Sequence, residues 1–120
     1  MPENVGPGTP PAPEIQARLR EVAESLRETS TIDSESRAAL AGLLDELGAA
    51  LGPAPPSPEV AHLAQTAAHV AESLHHPHDH GRMAGARGRL EQAILAAEAR
   101  APFVSGLARR LIDVLAAIGV

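Results

Sequence analysis

The segment SLHHPHDHGRM, residues 73–83, concentrates the side chains of this chain that are best suited to chemistry. Four imidazoles and one carboxylate within six positions match the ligands that zinc, nickel and copper prefer. The candidate metal ligands are His75, His76, His78, Asp79 and His80. A bound metal needs three or four such groups converging on one point at about 2.0–2.2 Å. Three interpretations stay open: a divalent transition-metal site, a pH-sensitive connection, because imidazole titrates near pH ~6.5, and a solvated loop.

Two Glu-x-x-His pairs, Glu59 with His62 and Glu72 with His75, have the spacing of ligands in di-iron helical bundles. The pairs lie thirteen residues apart, which is about 20 Å along one helix at ~1.5 Å per residue, so they do not share a metal. The apolar stripe of the same predicted helix also turns His62 outward. We therefore interpret these pairs as solvated side chains.

The residues on which most enzymes rely are missing or poorly placed. The chain has no Cys, Lys, Tyr or Trp, which removes thiol, Schiff-base and phenolic chemistry. No serine sits in a G-x-S-x-G elbow, no glycine cluster matches a P-loop, and Ser105 is expected on a helix surface. We predict a protein that is not an enzyme, with no small-molecule substrate and no cofactor apart from a metal at the histidine run.

Charge and hydropathy argue against two classes of partner. The net charge is −5, residues 1–51 carry nine acids against four arginines, and aromatic platforms for bases are missing, so we expect no nucleic-acid partner. The sequence contains no run of about 18 apolar residues that could span a membrane. The start of the chain lacks the basic and apolar segments of a secretory signal, so we expect a cytoplasmic location.

Apolar residues at spacings of three and four positions predict amphipathic helices along most of the chain. The Ala- and Leu-rich composition also favours an all-α fold. Residues 1–13 are predicted to be a disordered tail rich in Pro and Gly, and residues 14–51 a helical hairpin. Residues 52–58 are predicted to be a Pro-rich linker, followed by two or three further helices over 59–120 that complete a small bundle.

The number of helices in the second half depends on one dipeptide. Ala101-Pro102 marks either a kink within one helix over 82–118 or the start of a new helix. Each predicted helix carries a narrow, heptad-like apolar seam, and the last of these seams consists of Val104, Leu107, Leu111, Val114 and Ile118.

Two blocks of the chain resemble a known family of short bacterial helical proteins, the domain-of-unknown-function 4404 family. SxIDSESRAALAGLLDEL (30–47, with Thr31 at x) resembles the second helix of that family, and RLEQAILAAEARAPFVSGLARRLIDVLAAIGV (89–120) resembles its C-terminal region. The resemblance covers roughly residues 14–51 and 89–120. It implies a helical fold, and it implies no chemistry because the function of the family is itself unknown.

The C-terminal part of the resemblance includes clear departures. The family pattern there has a Phe-Glu pair, a His-Pro pair, a helix with an Asp, and a terminal Gly-Ile. The matching positions in this chain are Ala97-Glu98, Ala101-Pro102, Asp113 and Gly119-Val120. The aromatic residue and the histidine of the pattern are thus replaced by alanines.

The function favoured by the sequence is a non-enzymatic interaction or structural module. Burial of apolar surface stabilises a fold by about 25 cal/mol per Å², and alanine side chains bury little surface. Self-association through the apolar seams would therefore add stability to an alanine-rich core. We therefore expect a homo-oligomer, coiled-coil-like in its packing, or a complex with a helical protein partner. The alternative function is divalent transition-metal binding or sensing through residues 75–80.

Overall fold

The computed structural model describes residues 12–52, 56–74 and 80–119, and within these ranges the regular secondary structure is helical throughout. The predicted all-α class is confirmed. The helices are α1 (Ala12–Glu28), α2 (Ser34–Leu51), α3 (Pro58–Ser73), α4 (His80–Ala97) and α5 (Pro102–Ala117). Helix α1 therefore begins two residues before the predicted hairpin 14–51, and the rest of the predicted tail lies outside the described residues.

Short polar residues start two of the helices. The carboxylate of Asp33 accepts a hydrogen bond from the backbone N–H of Ser36 at 3.0 Å and caps α2. The hydroxyl of Ser57 accepts from the N–H of Val60 at 3.3 Å, and Pro58 follows at the first helical position of α3. Asp and Ser are residue types favoured at the capping position, and Pro is favoured at the position that follows it.

The choice that the sequence left open at Ala101-Pro102 is settled as two separate helices. Helix α4 ends at Ala97, where its carbonyl accepts the N–H of Ala101 at 2.8 Å. Ala101 then adopts φ −145° and ψ 72°, away from the helical region, as expected for a residue before proline. Helix α5 starts at Pro102, whose missing N–H costs nothing at that position.

Four of the five helices surround the remaining one, α3. Helices α1 and α2 pack as a hairpin, α3 and α4 pack as a second pair, and α5 lies between α2 and α4. Helix α3 contacts all four other helices, and ten of its sixteen residues are buried. Helix α1 packs on α2 and α3 but not on α4 or α5, so it lies across the bundle from α5.

The predicted apolar seams form the core of a single chain. Large side chains with almost no solvent exposure come from all five helices: Leu19, Leu26, Leu40, Leu44, Leu47, Leu63, Val70, Leu90, Leu111 and Leu115. The buried stripe of α5 departs from the predicted seam near the end of the helix. Val114 and Ile118 are only partly buried, whereas Leu115 is fully buried. Packing between two flanking helices and α3 rotates the buried stripe of α5 away from a strict heptad.

Polar contacts tie the first hairpin together and join it to α3. Gln16 donates its side-chain amide to the carbonyl of Gly48 at 2.9 Å, and Arg27 pairs with Asp45 at 2.6 Å. Arg18 reaches Glu72 on α3 at 2.8 Å. Ion pairs as exposed as these contribute only about 0–1 kcal/mol each, so apolar packing carries the stability.

Helix α4 contains two glycines that packing does not require. Apart from the backbone of α4 itself, no described atom lies within 4 Å of the position that a Cβ would occupy on Gly85 or Gly88. We expect Gly85→Ala and Gly88→Ala each to raise the free energy of unfolding by about 0.5–1 kcal/mol, because alanine favours the helix interior. Denaturant titration followed by circular dichroism measures this. Gly52→Ala is the control and should lower stability, because Gly52 has a φ of +69°. Equal effects of all three changes would contradict this account.

The α2 cap makes stability depend on pH. The hydrogen bond from the backbone N–H of Ser36, with help from its side chain, lowers the pKa of Asp33 below its ordinary value of 3.8. A lowered folded-state pKa contributes stability above the unfolded-state pKa, and this contribution is lost as pH falls through the folded-state value. We therefore expect Asp33→Ala to be less stable than the wild type at neutral pH, and the difference to become smaller as the pH falls well below 3.8.

The matched control for the Asp33 cap is Ser57→Ala at the α3 cap. Its hydroxyl does not titrate, so the loss of stability should be independent of pH over the same range. Identical pH profiles for the two variants, measured by denaturant titration, would show that the charge of Asp33 does not contribute.

Candidate interaction surface

The predicted metal ligands fall mainly outside the described residues. His75, His76, His78 and Asp79 lie there, and His80 is the first residue of α4, with its side chain not described. Within residues 12–52, 56–74 and 80–119, no group of three histidine or carboxylate side chains is placed to hold a metal ion. The metal site therefore stays a prediction.

The carboxylates of the two Glu-x-x-His pairs face arginines. Glu72 pairs with Arg18, and Oε1 of Glu59 lies 3.4 Å from Nε of Arg100. That Oε1 is buried and makes no hydrogen bond within the described part of the chain, so its contact with Arg100 is an ion pair only. His62 is exposed, as its position off the apolar stripe predicted.

The prediction that Ser105 lies on the helix surface is wrong. Ser105 is 1% exposed, and its hydroxyl finds no hydrogen-bond partner among the described residues. The buried hydroxyls of Thr66 and Ser73 instead donate to the carbonyls of His62 and His69, one turn earlier in α3. Ser105 is buried because α5 packs between two helices, which covers a wider part of its surface than one seam.

Within the part of the chain that the structure describes, two large apolar side chains point into solvent. Leu95 near the end of α4 is 63% exposed, and Phe103 near the start of α5 is 67% exposed. The two residues flank the turn 98–100 that joins these helices. Phe103 is also the only Phe, Tyr or Trp in the chain. A protein with one large aromatic ring thus leaves it outside the core.

A groove runs between α2 and α5. It has a volume of about 520 Å³. Its lining residues are Ala38, Ala39, Gly42, Leu43 and Glu46 on α2, with Arg110, Asp113 and Val114 on α5. Five of these residues are apolar or glycine and three are charged. Apart from the backbone of α2 itself, no described atom lies within 4 Å of the position that a Cβ of Gly42 would take. The lining thus combines small apolar residues with charged ones.

A second groove lies on the other side of α5, against α4. It has a volume of about 340 Å³ and is lined by Glu91, Ile94, Leu95, Arg109, Ile112 and Asp113. We call the solvent side of α5, together with both grooves, Leu95 and Phe103, the α5 face. The α5 face is the part of the described surface where exposed apolar groups and concave shape coincide.

The N-terminus of α5 lacks a side-chain cap. Ala101 occupies the capping position and its side chain has no polar atom, and the first turn, Pro102 to Ser105, holds no acid. The free N–H groups of a first turn and the helix dipole give this end a partial positive charge. Phe103 therefore projects from a helix end that favours a negative neighbour.

Charge is distributed unevenly over the bundle. Residues 1–51 carry nine acids and four arginines, whereas residues 52–120 carry six of each. The α1–α2 hairpin is accordingly acidic, and the part of the chain that builds most of the α5 face is balanced. Among the described helices, none is long and apolar enough to cross a membrane.

Sequence reasoning missed both exposed apolar residues. Phe103 precedes Val104 of the predicted seam, and Leu95 follows Ile94 in the same way. A bulky apolar residue one position off the seam points about 100° away from it on a helix of 3.6 residues per turn. This offset of one position from the seam is the sequence feature that could have identified both residues as exposed.

The structure defines the class of protein as a small all-α bundle with an apolar α5 face. Compared with protein-family models, curated proteins and solved structures, the chain matches none. The resemblance to the domain-of-unknown-function 4404 family accordingly stays a prediction.

Proposed function

We propose that the protein is a non-enzymatic interaction module that binds another helical protein surface through its α5 face. The observation that carries this proposal is the 67% exposure of Phe103, the only large aromatic ring in the chain. Aromatic residues are enriched at the centres of protein interfaces, where burial recovers the hydrophobic free energy lost by exposure.

The proposed binding surface is the α5 face and not the apolar seams, through which the sequence led us to expect association. In one copy of the chain those seams already pack against each other, and their leucines are almost completely buried. A partner that used them would have to displace a helix. The α5 face is available without any such rearrangement.

Site-specific photo-crosslinking in the native cell tests the α5 face. A photoreactive phenylalanine analogue replaces Phe103 or Leu95, and replaces Ser25 on α1 as the matched control. Ser25 is also exposed, and its helix makes no contact with α5. We expect discrete adducts from positions 103 and 95 and none from position 25. The same adducts from all three positions, or none at all, would contradict the proposal.

Divalent transition-metal binding is the second candidate function. It is favoured by the four imidazoles and one carboxylate of residues 75–80, which connect two helices that pack side by side. Soft and borderline metals such as Zn²⁺, Ni²⁺ and Cu²⁺ suit imidazole ligands.

Calorimetry with each of these ions tests the second candidate. Stoichiometric binding in the sub-micromolar range should disappear when His75, His76, His78 and His80 are replaced by alanine. His62→Ala with His69→Ala is the control, since it removes both remaining histidines and leaves the run intact. Weak binding of variable stoichiometry in the wild type, or equal loss in both variants, would rule out a specific site in the run.

We also propose that the protein is bacterial, as the family resemblance implies, and cytoplasmic, as the sequence leads us to expect. The most specific version of the proposed function is that the partner is a second copy of this chain, which makes the protein a homo-oligomer.

A further inference from the structure

We infer that the partner of the α5 face is a second copy of this chain, related by a two-fold axis, with Phe103 of each copy seated in the α2–α5 groove of the other. This inference rests on the proposed function and names its partner. Three independent features of the described surface carry it: position along α5, the shape of the groove, and charge.

The first feature is the position of the ring and the groove on one edge of α5. Arg110 and Val114 follow Phe103 by seven and eleven positions, which are spacings that return to the same stripe of a helix. Phe103 lies in the first turn of α5, whereas the α5 residues that line the groove lie in the second half of the helix. A two-fold axis near the middle of the helix therefore places the ring of one copy over the groove of the other, with the two α5 helices antiparallel.

The second feature is that the groove has room for a ring. Ala38, Ala39 and Gly42 keep its α2 wall low, and the space above Gly42 is open. Leu43 and Val114 supply apolar walls on the two helices. A phenyl ring placed there would lie against apolar atoms on both sides, which is the environment that exposed Phe103 lacks in a single copy.

The third feature is charge complementarity. The α5 end that carries Phe103 has a partial positive charge and no cap of its own, because Ala101 occupies the capping position. The lining of the groove includes the carboxylates of Glu46 and Asp113 and one arginine, Arg110. Antiparallel packing places the uncapped N-terminus of α5 in each copy next to these carboxylates of the other copy.

Self-complementarity explains why one small chain carries both halves of the contact. A two-fold interface uses the same patch on both copies, so every contact occurs twice. A different partner would require only one half, either a ring or a groove. Here both halves lie on a single helix edge.

Sedimentation equilibrium of three purified variants tests the inference. Phe103→Ser removes the ring, and Gly42→Leu fills the groove from a position where a Cβ meets no described atom of another helix or side chain within 4 Å. The control is Gly85→Leu, which adds the same side chain to an equally open position on α4. Circular dichroism and thermal melting establish that all three remain folded.

We expect the wild type and Gly85→Leu to dimerise alike, and the other two variants to weaken dimerisation at least about 100-fold. This figure takes each buried aromatic anchor to be worth on the order of tenfold or more, and each dimer loses it twice. A wild type that is monomeric at all accessible concentrations, or a dimer that neither variant weakens, would overturn the inference.

Mixing the two weakened variants makes the test specific for a second copy. The Phe103→Ser chain keeps an open groove and the Gly42→Leu chain keeps a ring, so a heterodimer retains one of the two contacts. We expect the mixture to associate more tightly than either variant alone. No gain on mixing would overturn the two-fold arrangement.

The outcomes separate this inference from the proposed function. Crosslinks from position 103 to a different protein, together with a monomeric wild type, would leave the interaction module standing and overturn the self-pairing. Loss of crosslinks at positions 103 and 95 alike would overturn both.

Discussion

The close packing of α3 against the four other helices is the contact on which the rest of the bundle depends. Five of its ten buried residues are alanines, and such small side chains allow neighbouring helices to approach closely. A helix buried on most sides must satisfy its own polar groups. Thr66 and Ser73 do this by donating to carbonyls of the preceding turn, so α3 brings buried hydroxyls into the core with their hydrogen bonds made. Alanine buries little area, however, and the surrounding leucines supply most of the apolar surface.

Most of the fold could be predicted because local signals and the final packing agree. The caps at Asp33 and Ser57, the spacing of leucines in α2 and the proline at position 102 each act within one or two turns. The end of α5 could not be predicted in the same way. Whether Val114 or Leu115 is buried depends on the rotation of α5 between α2 and α4, and that rotation is decided by residues distant in sequence.

The same rotation explains why the candidate surface was hidden from sequence reasoning. Ser105 and Phe103 lie two positions apart, and the structure buries the hydroxyl while exposing the ring. Hydropathy alone would have assigned the opposite environments. Only the placement of α5 against two neighbours shows which side of the helix is free, and therefore where a partner could bind.

The arrangement of the helices also bears on the order in which the bundle forms. The two most extensive packings, α1 with α2 and α3 with α4, join neighbours in sequence, and such local contacts close small loops at low entropic cost. Helix α5 has to find α2, from which it is separated by two whole helices. The groove between α2 and α5 therefore comes into being only when this last, non-local docking is complete. A nascent or partly folded chain offers no such groove, so the pairing proposed above would be open only to chains that have finished folding.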